Sequence, residues 1–509
     1  MRGMDHRYAP VEEISGREQA FERMRRTVSL FAGPALFALI LFLPLPRLSP
    51  EAHRLAAVLA LVMVYWVGEP IPIPATALLG PVLCVLLGIE SAKNVFAPFA
   101  HPIIFLFIGS FMLAEAMKTH RLDYRISVWV LSRKWVGESF FRLFVAVALL
   151  PAAISMWISD SATTAMIFPI TAGIADIVSS LAKGAGNRFN IGLFLAIAYA
   201  ALIGGIGTPI GTPPNLIGIG MLDKLAGIKI PFFVWMQLAM PIMAAMIAIM
   251  ILYMYFRYRP PAGGIRGLAG YMAEKKDELG PWTRGQKNTL FAFLLAVGLW
   301  LFPGVVAAAG GTDNRLYVFF EAHLHEEVVS LIAVMFLFLM PVNWERREFT
   351  IGWDDAKRID WGTILLFGGG LSLGGLMFST KLADAMGKLI IEGTGVSSLW
   401  AITAVATALA ILITEVTSNT ATANMLAPLF ISIAATAGVP AAPPVIGVCL
   451  GASMAFMLPV STPSNAIVYG SGRVPIRHMI TAGFWLDVIS FFVIMGGLML
   501  LAPRLGLAG

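Results

Sequence analysis

Long apolar runs separated by short charged loops fill most of the chain. Stretches of about 17–25 apolar residues cross hydrocarbon as helices. By that measure the pattern predicts eleven crossings, at 28–46, 53–69, 72–90, 101–119, 191–220, 231–256, 288–308, 326–341, 361–379, 441–470 and 479–502. Two further apolar stretches, 143–176 and 400–435, break at their centres on the polar triplets Ser159-Asp160-Ser161 and Ser418-Asn419-Thr420. Polar, non-helical backbone at membrane depth is tolerated only where it is buried in protein or lines a wet cavity. Each half is short for a full crossing, so both stretches read as re-entrant hairpins with the triplet at the tip. Two kinked crossings are the alternative.

The chain also repeats itself. Residues 159–169 align with 418–428, Phe107 with Phe367, Leu122 with Leu382, and Thr212-Pro213-Pro214-Asn215 with Thr462-Pro463-Ser464-Asn465, all at an offset of roughly 250–260 positions. The last pair cannot continue an α-helix, because each Pro removes a donor and clashes with the preceding turn. Opened helices expose carbonyls that can ligate Na⁺ and half-helix N-termini that favour an anion. Paired, Pro-interrupted segments in two halves are the sequence mark of a transporter's binding site.

Composition narrows the class. With 58% hydrophobic and 13% charged residues and a mean hydropathy of +0.79, the 509 residues make a polytopic membrane protein. The net charge of +6 is unevenly placed, and Lys and Arg concentrate in loops that stay cytoplasmic. Arg2, Arg7, Arg17, Arg23, Arg25 and Arg26 put the N-terminal tail inside. Eleven crossings then place 120–142, 183–190, 257–287, 342–360 and 471–478 inside as well and the C-terminus outside, and these loops hold the remaining clusters, including Lys183 and Arg266. The first 27 residues are too charged, and the next span too long, for a cleaved signal. Cys84 and Cys449 lie in apolar spans and receive no role. A membrane enzyme would need clustered acids, metal-spaced His or a nucleophile with its base. None is visible: His325-Glu326-Glu327-Val328-Val329 lacks a second His. An open channel suits opposed hairpins less well than alternating access does.

The segment Ala452-Ser453-Met454-Ala455-Phe456-Met457-Leu458-Pro459-Val460-Ser461-Thr462-Pro463-Ser464-Asn465-Ala466-Ile467-Val468 resembles the signature of the divalent anion:sodium symporter family. Ser418-Asn419-Thr420 resembles that family's hairpin motif, and the layout is similar over residues 28–502. The resemblance implies an all-α polytopic membrane protein of eleven transmembrane helices and two re-entrant hairpins in two inverted repeats. It further implies a homodimeric, elevator-type carrier of dicarboxylates, tricarboxylates or sulfate, coupled to Na⁺, with no other cofactor.

On this resemblance the chain divides into a cytoplasmic tail (1–27), scaffold (28–135) and transport (136–256) parts of the first repeat, a cytoplasmic linker (257–287), and scaffold (288–395) and transport (396–509) parts of the second. Carried over by position, Ser155, Ser159, Asp160 and Gly211 would form one sodium site, and Thr414, Thr417, Asn419 and Ser461 the other. Substrate carboxylates would meet Ser159, Asp160 and Ser161 on one side and Ser418, Asn419 and Thr420 on the other, with Thr212, Thr462 and Pro463 nearby. Neutral hydroxyls and amides hold an anion yet release it.

The first triplet departs from the family's usual Ser-Asn-Thr. An amide with donor and acceptor becomes, in Asp160, a carboxyl with no donor when ionised. Ionised, Asp160 strengthens a Na⁺ site but repels a nearby carboxylate; protonated, it can donate to that carboxylate. The expected activity is Na⁺-coupled import of small dianions, foremost succinate, malate and fumarate, in a bacterial inner membrane. A sodium-independent exchanger, a proton-coupled carrier using Asp160, and sulfate or citrate transport remain alternatives.

Overall fold

The computed structural model describes residues 16–181, 187–261, 265 and 267–508. Arg2, Arg7, Lys183 and Arg266 of the expected inside segments lie outside the described residues. The chain opens with α1 (Gly16–Phe42) laid along α2 (Pro50–Gly68), whose first turn is capped by the Ser49 hydroxyl accepting from the Ala52 N–H at 3.2 Å. Next come α3 (Ile73–Leu86), the short α4 (Ala92–Phe96) and α5 (Pro102–Thr119). Arg121, in the left-handed region at φ 52°, turns the chain sharply into α6 (Leu122–Leu131). The short α7 (Lys134–Gly137) leads into the hairpin α8 (Phe140–Ser155) and α9 (Asp160–Leu181), then α10 (Asn187–Gly205), α11 (Pro213–Met221) and α12 (Phe232–Arg257).

The second half begins differently and then runs through a comparable series of helices. After α13 (Leu268–Leu279) and α14 (Arg284–Gly310), α15 (Arg315–His323) meets α16 (Glu326–Leu339) at a 71° bend. A two-stranded antiparallel hairpin pairs Pro341–Asn343 with Glu348–Phe349. Then come the short α17 (Trp353–Ala356) and α18 (Trp361–Ser379), and Lys381, again left-handed at φ 61°, turns the chain into α19 (Leu382–Thr394). The hairpin α20 (Leu399–Thr414) and α21 (Asn419–Ala437) precedes α22 (Ala442–Ala452), α23 (Pro463–Gly470) and α24 (Ile476–Leu501).

Among the described residues ten helices are long and apolar enough to cross a membrane, or eleven with the bent α15–α16 pair. That set differs from the one the sequence predicts. It includes α9 and α21, the second arms of the expected hairpins, which at 22 and 19 residues are not short. It leaves out α3 and α22, at 14 and 11 residues. Hydropathy scores a continuous run, and α9 continues helically past the point where its apolar stretch ends.

The segments expected as loops also carry structure. Within 120–142 lies α6, and within 257–287 lies α13, which buries Leu268 and Met272. α13 packs against α6 and α9, and Gly173 of α9 lies against the Tyr271 ring so closely that a Cβ there would overlap it.

The core is built around α10, whose apolar window is 89% buried, against 17% for α14. Gly204 of α10 abuts the Ala152 backbone of α8 with no room for a side chain, the close approach that small residues permit between membrane helices. A second apolar cluster joins α2, α3 and α18 through Val58, Trp66, Ala77, Leu366 and Leu373.

Candidate functional site

Each hairpin ends in a short non-helical tip whose last residue caps the next helix. Ser159 Oγ accepts from the Ala162 N–H at 3.4 Å, and Ser418 Oγ accepts from the Ala421 N–H at 3.2 Å. The triplets therefore sit at the N-termini of α9 and α21, where unpaired amides and the helix dipole point outward.

The two broken helices end the same way. α10 stops at Gly205 and the chain resumes helically at Pro213; α22 stops at Ala452 and resumes at Pro463. Pro at the first helical position costs no hydrogen bond, because that N–H has no partner in a helix anyway. Thr462 Oγ1 caps α23 by accepting from the Asn465 N–H at 3.2 Å.

One cavity of about 420 Å³ receives all four helix ends. Of the residues assigned by sequence to substrate, every one lines it: Ser159, Asp160, Ser161, Thr212, Ser418, Asn419, Thr420, Thr462 and Pro463. Gly211 and Ser461 line it as well, whereas Ser155, Thr414 and Thr417 sit buried behind the tips.

The first of the assigned cation sites is a niche of backbone oxygens. A methyl group on Gly211 would lie 2.5 Å from the Gly205 carbonyl oxygen and 2.9 Å from those of Met156 and Ser155. The hydroxyl of Ser155, the residue that supplies one of these carbonyls, is fully buried and has no hydrogen-bond partner. A buried, unpaired hydroxyl among converging carbonyls is costly, and oxygens so arranged suit a hard cation. Asp160 Oδ1 accepts from the Ser161 N–H at 2.7 Å and its Oγ at 3.2 Å.

The second differs in detail. Thr414 Oγ1 lies 2.7 Å from both Asn419 Oδ1 and the Ala452 carbonyl oxygen. Ser461 donates to the Leu458 carbonyl oxygen at 2.6 Å, and Thr417 Oγ1 lies 3.1 Å from Thr422 Oγ1. Where the second tip ties its amide back to Thr414, the first leaves Ser155 free and turns its carboxyl toward Ser161.

Sequence reasoning missed the asparagine clasps that hold the breaks open. Asn215 Nδ2 donates to the carbonyl oxygens of Gly205 at 3.1 Å and Thr208 at 2.8 Å. Asn465 Nδ2 donates to those of Ala455 at 2.9 Å and Leu458 at 3.1 Å, at the same separations of 10 and 7 residues. Both side chains are fully buried, and both leave Oδ1 without a partner. The matched Asn was the available signal. Glu415 anchors the second break further, accepting from the N–H groups of Phe456, Met457 and Leu458 at 2.6, 2.9 and 3.1 Å.

The remaining wall comes from elsewhere in the chain. Glu115 and Lys118 of α5, paired at 3.0 Å, face the tips together with Arg358, Asp360 and Thr363. Trp157 closes one side, edge-on to Phe293 of α14 at 5.3 Å. Among the described residues no group of His, Cys, Asp and Glu is placed to hold a transition-metal ion.

The sodium:sulfate symporter transmembrane region, as a family model, matches residues 24–506. The chain is 32% identical over 486 residues to the sodium-dependent dicarboxylate transporter SdcS of Staphylococcus saprophyticus, covering 94% of this chain and 91% of that one. It is 33% identical over 478 residues to SdcS of Staphylococcus aureus strain NCTC 8325, covering 92% and 89%. Among solved structures, the YdaH transporter of Alcanivorax borkumensis superposes with a TM-score of 0.56 over 96% of this chain and 98% of that one, at 12% identity, a likeness of fold alone.

Proposed function

Since the chain belongs to the sodium:sulfate symporter family, we propose that this integral membrane transporter, which is not an enzyme, couples Na⁺ to the import of small dianions, with C4-dicarboxylates such as succinate, malate and fumarate as cargo. The observation that carries this reading is the convergence of four helix N-termini on one cavity. Each end offers roughly half a positive charge and bare amides. Two hairpin tips with hydroxyls at Ser159, Ser161, Ser418 and Thr420 give each carboxylate of a short dianion its own set of donors. The names of the staphylococcal relatives agree in both ion and substrate class.

In the same reading, Ser155, Ser159, Asp160 and Gly211 hold one Na⁺ and Thr414, Thr417, Asn419 and Ser461 the other. The carbonyl niche at Gly211 and the free Ser155 hydroxyl support the first. The two halves are inverted repeats, with α5, α6 and α8–α12 answering α18, α19 and α20–α24. The hairpins and broken helices form a transport part that slides as an elevator against scaffolds held in a homodimer, and the protein sits in a bacterial inner membrane with its N-terminus in the cytoplasm. The matched left-handed joints at Arg121 and Lys381 support the repeat.

Purified protein in proteoliposomes tests the proposal. Radiolabelled succinate should accumulate under an inward Na⁺ gradient and not under a pH gradient alone. Strong inhibition by sulfate or citrate without inhibition by succinate would reassign the cargo. Asp160 favours one second reading, proton coupling, since it puts a titratable group where the family's amide stands. Accumulation driven by the pH gradient without Na⁺ would select it.

A further inference from the structure

Outside the cavity, α6, α13 and the turn leading into α14 enclose a second pocket of about 620 Å³, lined mainly by apolar surface. Its floor is Arg125, only 8% exposed. The guanidinium holds three successive backbone carbonyls, with Nη2 at 2.7, 2.9 and 3.0 Å from the oxygens of Leu279, Gly280 and Pro281. Its buried Nε has no partner, and among the described residues no carboxylate forms an ion pair with it. A buried cation that meets carbonyl dipoles and an indole face but no carboxylate keeps most of its charge uncompensated.

Two exposed indoles flank the opening. Trp282 lies against the Arg125 guanidinium at 5.1 Å and Trp129 under that of Arg133 at 3.8 Å, with 44% and 57% of their surface open. Lys276 adds a further cation at the rim against one acid, Asp277. Exposed Trp beside Lys and Arg is the composition of a membrane–water interface, and basic pockets between helices at that depth take anionic lipid headgroups.

We propose that this pocket binds one anionic phospholipid from the leaflet on its side. The phosphate sits between Arg125 and Lys276, and the upper acyl chain lies along Ile126, Trp129 and Leu279. The charge of the cluster and its apolar lining together select a lipid over a soluble anion, which would leave the apolar wall wet, and over a zwitterionic lipid, whose ammonium would meet the cations. The site is independent of what the carrier moves, and its failure would leave the proposed cargo untouched.

The test uses the full-length protein in phosphatidylcholine vesicles doped with phosphatidylglycerol that bears a photoactivatable diazirine high in one acyl chain. Phosphatidylcholine bearing the same group serves as control. The anionic probe should label peptides spanning 122–131 and 276–282 several-fold more than the control does. Lys276→Gln should cut that labelling roughly fivefold, the ~1 kcal/mol of one base near an anionic surface, and Trp129→Ala comparably. Both side chains are exposed, so neither change threatens folding. Equal labelling by the two probes, indifference to both variants, displacement by soluble glycerol phosphate, or cross-links joining two copies through this face would each overturn the proposal.

Discussion

Asn419 stands where a helix end, a neighbouring hydroxyl and the cavity meet. Its Oδ1 accepts from Thr414 while the residue itself lines the open space. Losing one hydrogen bond to a charged group costs about 1.5–3 kcal/mol, so Asn419→Ala should lower succinate uptake at least tenfold per folded molecule. Its thermal melting should stay near that of the parent, because the side chain faces water rather than packing. Near-normal uptake by the well-expressed variant would remove the second triplet from the binding site. At Asp160 the substitution runs the other way. Asp160→Asn restores a donor and removes a titratable charge at the tip that also holds Ser161. Uptake should survive with an altered dependence on Na⁺ or pH, measured at a fixed concentration of the dianion. Identical profiles would mean that the carboxyl takes no part in coupling. Both triplets were legible in the sequence because a polar residue inside an apolar run is costly unless it is used. Lys118 and Arg358 were not, since only the tertiary fold carries them from distant elements to the same wall.

At the scale of elements, the breaks between α10 and α11 and between α22 and α23 persist because one buried asparagine in each binds two carbonyls that a continuous helix would have used itself. Asn465→Ala strips the Ala455 carbonyl of its side-chain donor and leaves that of Leu458 to Ser461, at about 1–3 kcal/mol for a buried group left unpaired, and should lower the melting temperature by several degrees, with Asn215→Ala doing the same. In each variant Na⁺, bound at the proposed sites, should restore less stability than in the parent protein, because the carbonyls of the opened segment are no longer held. An unchanged melting curve for both would show the clasp to be incidental. Proline made these breaks readable in advance. The helices α6, α13 and α19 escaped the hydropathy reading: they are short and carry charge, exposed on α13 and α19 and buried on α6 as Asp123 and Arg125, so no window over them is apolar throughout, and their helicity rests on a few buried residues such as Leu122, Leu268 and Leu382.

For the whole molecule, the offset between triplets recurs in the left-handed joints at Arg121 and Lys381, which supports the proposed repeat. The bent α15–α16 pair and the full length of α9 had no such signal, because a bend between two apolar helices leaves hydropathy unchanged. The cavity has a further consequence, set by the hydroxyls that cap its helix ends. Ser159, Ser418 and Thr462 each already satisfy an amide of the helix they begin. Crossing the apolar interior with bare amides would cost several kcal/mol per group; with these caps in place, an unloaded transporter has fewer of them to dehydrate. In the proposed elevator cycle the return stroke can therefore run empty. Vesicles containing no substrate should show net, sustained uptake at a rate within about threefold of vesicles preloaded with succinate, a difference of under ~1 kcal/mol in the limiting step. A strict requirement for internal succinate would instead make the protein an obligate exchanger, with the hydroxyl caps too weak to let it reset alone.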